Sequence, residues 1–216
     1  MFAIRHGETA WSRSGQHTGT TDIPLTDSGR LLAKRMRPVL AAEAFALVLC
    51  SPMQRARETC ELAGLGDKAV IDSDLVEWNY GEYEGLTPKQ IQEMAPGWLI
   101  FRDGCPGGEA PEHVGARVDR VIARSRAVEG DTALFAHGHL LRVFVARWIG
   151  LPPGGGQQSA EYGHPVCAGL LPQNTGCKNL ERTSPRPDRS EGGSALRSLS
   201  NRRAIHAAAQ EQARQP

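Results

Sequence analysis

An arginine and a histidine stand side by side on a glycine turn in Arg5-His6-Gly7-Glu8-Thr9, directly after the apolar run Met1 to Ile4. The pairing suits phosphate chemistry. Imidazole attacks phosphorus and carries the phosphoryl group covalently, while the neighbouring guanidinium offers forked N–H donors to the oxygens that gather negative charge. Alone, Arg-His-Gly is a weak signal that fits a structural histidine better. Four further segments change its weight.

Ser51-Pro52-Met53-Gln54-Arg55 follows the apolar run Ala46 to Cys50. Ser51 is a candidate helix cap and Pro52 suits a first turn, which sets Arg55 near a helix N-terminus, where anions are favoured. Arg55 reads as a second phosphate clamp; its plain alternative, a solvated helix arginine, is the reading Arg57 takes. Leu75 to Gly85 is a glycine-punctuated loop of carboxylates and aromatics. Glu77 is its candidate proton donor: it would protonate a leaving alkoxide and then activate water against a phosphohistidine, which asks for partial burial. The buried-looking run Thr132 to Ala136 ends in His137-Gly138-His139, and His137 can donate to phosphate. Ser14-Gly15-Gln16-His17-Thr18-Gly19 is a polar glycine loop able to offer amides and a hydroxyl to a substrate, though by itself an ordinary loop. In open α/β folds ligands gather beyond the carboxyl ends of the strands, so His6, Arg55 and His137 can converge from distant positions.

A repeated strand-then-helix pattern has to position these side chains. The sequence predicts strands over Met1–Ile4, Ala46–Cys50, Ala69–Asp72 and Thr132–Ala136. It predicts helices over Asp27–Glu43 with Thr26 as cap, Pro52–Ala63, a small one opening at Thr87-Pro88, then Pro111–Val128 and Leu140–Ile149. The expected class is α/β with three layers, a parallel-rich central sheet carrying helices on both faces.

Together, Arg5-His6-Gly7, the Ser51 to Arg55 segment, the Glu77 loop and His137-Gly138-His139 resemble the histidine phosphatase, or phosphoglycerate mutase-like, superfamily over residues 1 to about 153. The resemblance implies that His6 is the phosphorylated nucleophile, that Arg5, Arg55 and His137 form the phosphate pocket, and that Glu77 is the proton donor. Ser14-Gly15-Gln16 with Thr18-Gly19, Glu77-Trp78 with Tyr80-Gly81, Arg102-Asp103-Gly104-Cys105 with Gly108-Glu109, and Leu141-Arg142 look like the fungal sedoheptulose-1,7-bisphosphatase branch. That adds Gln16, Thr18, Gly19, Tyr80, Arg102, Gly138 and His139 as substrate-binding candidates. Arg102 would lie on a lid-like segment and bind the second phosphate or sugar hydroxyls, or else form a surface salt bridge with Asp103. His139 either reaches the substrate or only caps the helix that follows. The implied reaction is hydrolysis of small phosphorylated metabolites, sugar bisphosphates such as sedoheptulose 1,7-bisphosphate. The alternatives are a phosphoglycerate mutase-type isomerase and an inactive truncated remnant. Against the mutase stand the short span from Gly85 to Arg126 and Ser12, which follows Trp11 where the mutases carry asparagine.

Composition narrows the partners. A net charge of +1 over 216 residues makes no electrostatic case for nucleic acid or a membrane surface. The slightly basic C-terminal segment has dilute charge and no aromatic stacking platform. No apolar stretch approaches the length of a membrane span. Cys50, Cys60, Cys105, Cys167 and Cys177 are scattered without a Cys-x-x-Cys pair, so neither metal nor cofactor is expected. Without a signal peptide they read as reduced thiols of a cytoplasmic chain. The expected partner is a small phosphorylated substrate.

From Pro152 the chain becomes rich in Ser, Arg, Gly and Gln with few large apolar residues. Residues 154–216 read as a disordered tail beyond a phosphatase domain of residues 1–153, because such a segment buries too little surface to offset ordering entropy. A sharper reading is a frameshift product. Translated one base out of register with a free choice of codons, Gly163 to Glu181 spells an alternating, β-like segment ending in Trp-Asn, as the family's terminal strand does. On that reading the chain lacks sheet-completing strands, and the underlying codons decide it.

Overall fold

The computed structural model describes residues 1–157. Helices α1 (Ala10–Ser14), α2 (Asp27–Ala41), α3 (Gln54–Leu62), α4 (Pro88–Met94), α5 (Ile100–Asp103), α6 (Pro111–Arg126) and α7 (Gly138–Trp148) alternate with four strands. β1 (Phe2–Arg5), β4 (Asp131–Ala136), β2 (Phe45–Cys50) and β3 (Ala69–Ile71) lie side by side in that order, and every pairing is parallel.

Successive side chains leave opposite faces of a strand, and here the two faces build two cores. Phe2, Ile4, Val48, Cys50, Ala133 and Phe135 pack with Ala33, Met36 and Leu40 of α2 and with Ala56 and Cys60 of α3. Ala3, Leu49, Leu134 and Ala136 pack on the other side with Val114, Val118 and Val121 of α6 and Leu140, Val143 and Phe144 of α7. This is the expected three-layer α/β fold with helices on both faces. A parallel strand covered on both sides needs apolar residues, which is why β4 runs through Ala133, Leu134, Phe135 and Ala136 without a polar break.

The parallel ladder decides where function can sit. It continues one residue past each strand: the His6 amide donates to the Ala136 carbonyl and the Ser51 amide to the Phe135 carbonyl, both at 2.9 Å. Residues 6, 51 and 137 therefore leave the sheet along one edge.

Element ends depart from the sequence reading where a distant side chain supplies the cap. Thr26 caps α2 as expected, accepting the Gly29 amide at 3.1 Å. Ser51 does not cap α3. That helix starts later, with Met53 in the cap position, and the Asp22 carboxylate accepts the Gln54 amide at 2.9 Å. α7 begins two residues before the expected start because the Glu77 carboxylate takes its first amides. Two short helices, α1 and α5, were not anticipated; α1 is closed at its start by a reciprocal cap between Thr9 and Ser12.

Among the described residues no helix is long and apolar enough to cross a membrane, and Cys50, Cys60 and Cys105 are free and buried. The expected tail, apart from a single 3₁₀ turn at Pro153–Gly156, and the frameshift reading of Gly163 to Glu181 lie outside the described residues.

Candidate active site

His6 leaves β1 into a turn pressed against the start of α2. A Cβ at Gly7 would stand 2.7 Å from the Gly29 carbonyl oxygen, so the turn admits no side chain there. The Gly7 amide donates to Thr59 Oγ1 at 3.0 Å, and that hydroxyl donates to the Arg55 carbonyl at 2.6 Å, which ties the turn to α3. His6 Nδ1 lies 2.7 Å from the Gly7 carbonyl oxygen. A carbonyl only accepts, so Nδ1 carries the proton and Nε2 keeps its lone pair. Burial, followed by the charges of Arg5 and Arg55, pushes the His6 pKa down to about 3. The ring is neutral in ordinary buffers, as a nucleophile must be.

Arg55 is 0% exposed. Its Nε donates to His137 Nδ1 at 3.2 Å, its Nη1 to the Thr21 carbonyl at 3.0 Å, and its Nη2 to the carbonyls of Thr18 and Gly19 at 3.2 and 2.9 Å. The same loop is held from the other side by the Glu84 carboxylate, which accepts the amides of Gly19 and Thr21 at 2.9 and 3.0 Å. Because a guanidinium only donates, His137 Nδ1 is an acceptor and Nε2 donates to Ser51 Oγ at 2.8 Å. Burial first, then the Arg55 charge, holds the His137 pKa well below the usual histidine range. The His137 ring centroid is 5.2 Å from that of His6.

A cavity of about 330 Å³ opens at His6. Arg5, Glu77, Gly138 and Arg142 line it together with His6, and Gln16, His17, Thr18, Tyr80 and His139 complete most of the wall; Arg55 and His137 adjoin His6 without lining it. Glu77 is 6% exposed. Its Oε1 accepts the amides of Trp78 and Leu140, each at 2.9 Å, and its Oε2 accepts the His139 amide at 3.1 Å. A Cβ on Gly138 would lie 3.4 Å from Arg5 Nε and 3.8 Å from Glu77 Oε2, so guanidinium and carboxylate both border that glycine.

The other expected binding residues divide. Gln16 stands in the wall, anchored by its Nε2 to the Gly85 carbonyl at 2.8 Å. His139 is not merely a cap: its ring lines the cavity, its Nδ1 lies 2.6 Å from the Tyr80 hydroxyl, and burial drives its pKa well down while driving that of Tyr80 up. Gly19 is not brought to the cavity; its amide serves Glu84 and its carbonyl serves Arg55, and a Cβ there would meet Glu84 Oε2 at 2.7 Å. Nor is Arg102. Its side chain is 63% exposed, pairs with Asp103 through Nε at 2.7 Å and Nη2 at 2.8 Å, and borders a separate hollow with Leu99 and Phe101. The surface salt bridge is the arrangement present.

Sequence reasoning missed Arg142, His17 and Ser12 as wall residues. Arg142 follows His139 by three positions, and i, i+3 residues share a helix face, which was the available signal. His17 is buried between the rings of Tyr80 and His139, with centroids 4.6 and 5.5 Å away. Among the described residues no group of three or more His, Cys, Asp or Glu side chains is arranged to hold a metal ion.

Buried neutral histidines at the heart of the fold make it sensitive to acid. An imidazole whose folded pKa lies below its unfolded value of 6.5 takes up its proton only on unfolding, so the stability present above pH 6.5 is lost as the pH falls toward 3 for His6, and likewise for His137 and His139. Each such group steepens the loss by roughly 1.4 kcal/mol per pH unit. The urea midpoint is expected to be flat with respect to these groups above pH 7 and to drop steeply between pH 6.5 and 5. A midpoint that holds level to pH 5 contradicts the burial of neutral rings.

The profile of the Histidine phosphatase superfamily (branch 1) matches residues 1–168, somewhat past the boundary near residue 153 expected from the motifs. An acid phosphatase of Mycobacterium tuberculosis is 41% identical over 164 residues, covering 74% of this chain and 80% of its own length. The sedoheptulose 1,7-bisphosphatase of Saccharomyces cerevisiae is 39% identical over 180 residues, covering 68% of this chain and 66% of its own length, so this chain spans just under two thirds of that relative. Among solved structures, that of an open reading frame product of Mycobacterium tuberculosis matches with a TM-score of 0.69 at 40% identity, over 73% of this chain and 83% of that one. The mycobacterial glucosyl-3-phosphoglycerate phosphatase complexed with VO3 matches with a TM-score of 0.66 at 29% identity, over 73% and 85%. The chain belongs to the histidine phosphatase superfamily. The expectation of a histidine-dependent phosphatase, a phosphoric monoester hydrolase, stands on these matches.

Proposed function

We propose that the protein hydrolyses small phosphorylated sugars, preferring bisphosphates, through a phosphohistidine on His6. One observation carries the reading: a neutral imidazole with Nδ1 committed to Gly7 and Nε2 unprotonated, in a cavity that Arg5 and Glu77 also line. Nε2 attacks phosphorus in line, the N–P bond forms as the ester P–O bond breaks, and the Glu77 carboxyl passes its proton to the departing alkoxide. Water then attacks the phosphohistidine and gives a proton to the Glu77 carboxylate, the N–P bond breaks, and inorganic phosphate leaves. Arg5 meets the phosphoryl oxygens, with the charge of Arg55 beside His6 and His137 held against Arg55 and Ser51 behind it. The reading places this chemistry in the cytoplasm, in keeping with the free buried thiols Cys50, Cys60 and Cys105.

Bisphosphate preference is assigned to Arg142. Burial and then the charge of Arg5 lower its pKa, so two guanidiniums that disfavour one another line a single cavity. A ligand with two phosphates relieves that repulsion. The yeast relative named a sedoheptulose 1,7-bisphosphatase supports the choice of sugar. A mutase reading draws on relatives named 2,3-bisphosphoglycerate-dependent phosphoglycerate mutases, at 29% and 32% identity. Products separate the two. Phosphate release from sedoheptulose 1,7-bisphosphate is expected to exceed that from the 7-monophosphate by about ten-fold or more in kcat/KM, with Arg142→Gln removing most of the difference. Isomerised 3-phosphoglycerate without net phosphate release, or equal turnover of both sugars, argues against it.

A further inference from the structure

Arg117 of α6 is buried, and all five of its N–H donors are used. Nε and Nη2 form a two-point pair with the Glu109 carboxylate at 2.9 and 3.0 Å. The other donors reach main-chain carbonyls: Nη1 meets Asp74 at 2.9 Å and Val76 at 2.6 Å, and Nη2 meets Glu77 itself at 3.1 Å. Glu109 holds the next two residues. Its Oε2 accepts the Asn79 amide at 2.8 Å, its carbonyl accepts the Trp78 indole N–H at 2.9 Å, and its own amide donates to the Asn79 carbonyl at 2.9 Å. Segment 74–79 is thus gripped on both sides of Glu77 by one ion pair, and neither member lines the cavity.

Stability is a poor reason for such a pair, since desolvating two charges consumes most of what their attraction returns. We propose that Arg117 and Glu109 are positioning residues that set where the Glu77 carboxyl stands relative to the leaving oxygen. The inference rests on the proton-donor reading of Glu77. It has a signature that a scaffold role lacks. A sugar alkoxide needs a proton in order to leave, whereas 2,4-dinitrophenolate leaves without one, so displacing the acid penalises the first substrate and spares the second.

The test compares kcat/KM, which reports only the steps up to phosphohistidine formation, for sedoheptulose 1,7-bisphosphate and 2,4-dinitrophenyl phosphate in the parent chain, Arg117→Lys, Glu109→Gln and Glu77→Gln. The ratio of the two values does not depend on how much of each preparation is folded, so a destabilised variant still gives an answer. Both Arg117→Lys and Glu109→Gln are expected to lower the sugar-to-aryl ratio by about ten-fold or more, in the same direction as Glu77→Gln. Loss of both esters in equal proportion, while Glu77→Gln shifts the ratio, overturns the positioning role and leaves the function standing. A ratio unmoved by Glu77→Gln removes the proton-donor reading and this inference with it.

Discussion

His6→Ala is expected to abolish turnover, with phosphate release falling by about four orders of magnitude or more. The same variant is expected to lose the acid-labile, alkali-stable phosphoryl label that a phosphohistidine mechanism would leave on the parent chain after a rapid quench with a radiolabelled sugar phosphate. The effect is large because the hydroxyls beside His6 are already engaged. Ser12 is committed to its reciprocal cap with Thr9, Ser51 receives the His137 Nε2 proton, and Thr59 bridges Gly7 to Arg55. Arg5 and Glu77 still line the cavity in the variant, so phosphate binding by calorimetry is expected to survive. Removing a buried neutral imidazole also removes one source of acid sensitivity, so the urea midpoint of the variant falls less steeply below pH 6.5. Turnover within about ten-fold of the parent would falsify the covalent mechanism, since binding and electrostatics alone do not preserve that much rate.

Arg55→Met is expected to damage fold and catalysis together. The carbonyls of Thr18, Gly19 and Thr21 lose their donor, and the loss amounts to about 3–5 kcal/mol in urea unfolding. Thr18 is part of the cavity wall and His137 loses the donor that sets its tautomer, so kcat falls beyond what partial unfolding explains. Arg55→Lys recovers little, because one ammonium cannot reach three carbonyls and a ring nitrogen at once. The His6 ring provides an independent reading. Arg55 is one of the charges that lower its pKa, so the imidazole titration followed by NMR moves upward in the methionine variant. An unchanged unfolding midpoint together with an unchanged His6 titration contradicts the arrangement described.

The parallel sheet and the meeting of His6, Arg55 and His137 were legible because their signals are local, whereas Glu77 was placed beside them by the family resemblance. Each apolar run marks a strand, and His6, Arg55 and His137 stand just past a strand end or in the helix turn that follows one. What escaped were pairings across long stretches of chain. Ser51 looked like a cap because serine before proline is a good start signal, but Asp22, from a loop 32 residues away, takes the Gln54 amide instead. Glu77 was read for its chemistry alone, and no spacing rule shows that it also receives amides from α7, 62 and 63 residues on. Arg102 carried the right charge on a segment with a suggestive resemblance, yet the adjacent Asp103 claims it. Arg117 had no motif at all; its partners are mainly carbonyls, which every residue possesses and no sequence pattern advertises.

The carboxylate of Glu77 is bolted at three points to the backbone it serves, and one of its oxygens is occupied twice. A proton donor on a free side chain can hunt for its acceptor and forgive a badly seated ester. One moored in this way cannot follow. The burden of alignment passes to the ligand, which must present its bridging oxygen at a single spot near Oε2, so esters at different carbons of the same sugar are sorted by where that oxygen falls. On the proton-donor reading of Glu77, regioselectivity is a property of the mooring, and loosening it is expected to broaden the range of esters cleaved while slowing the best of them.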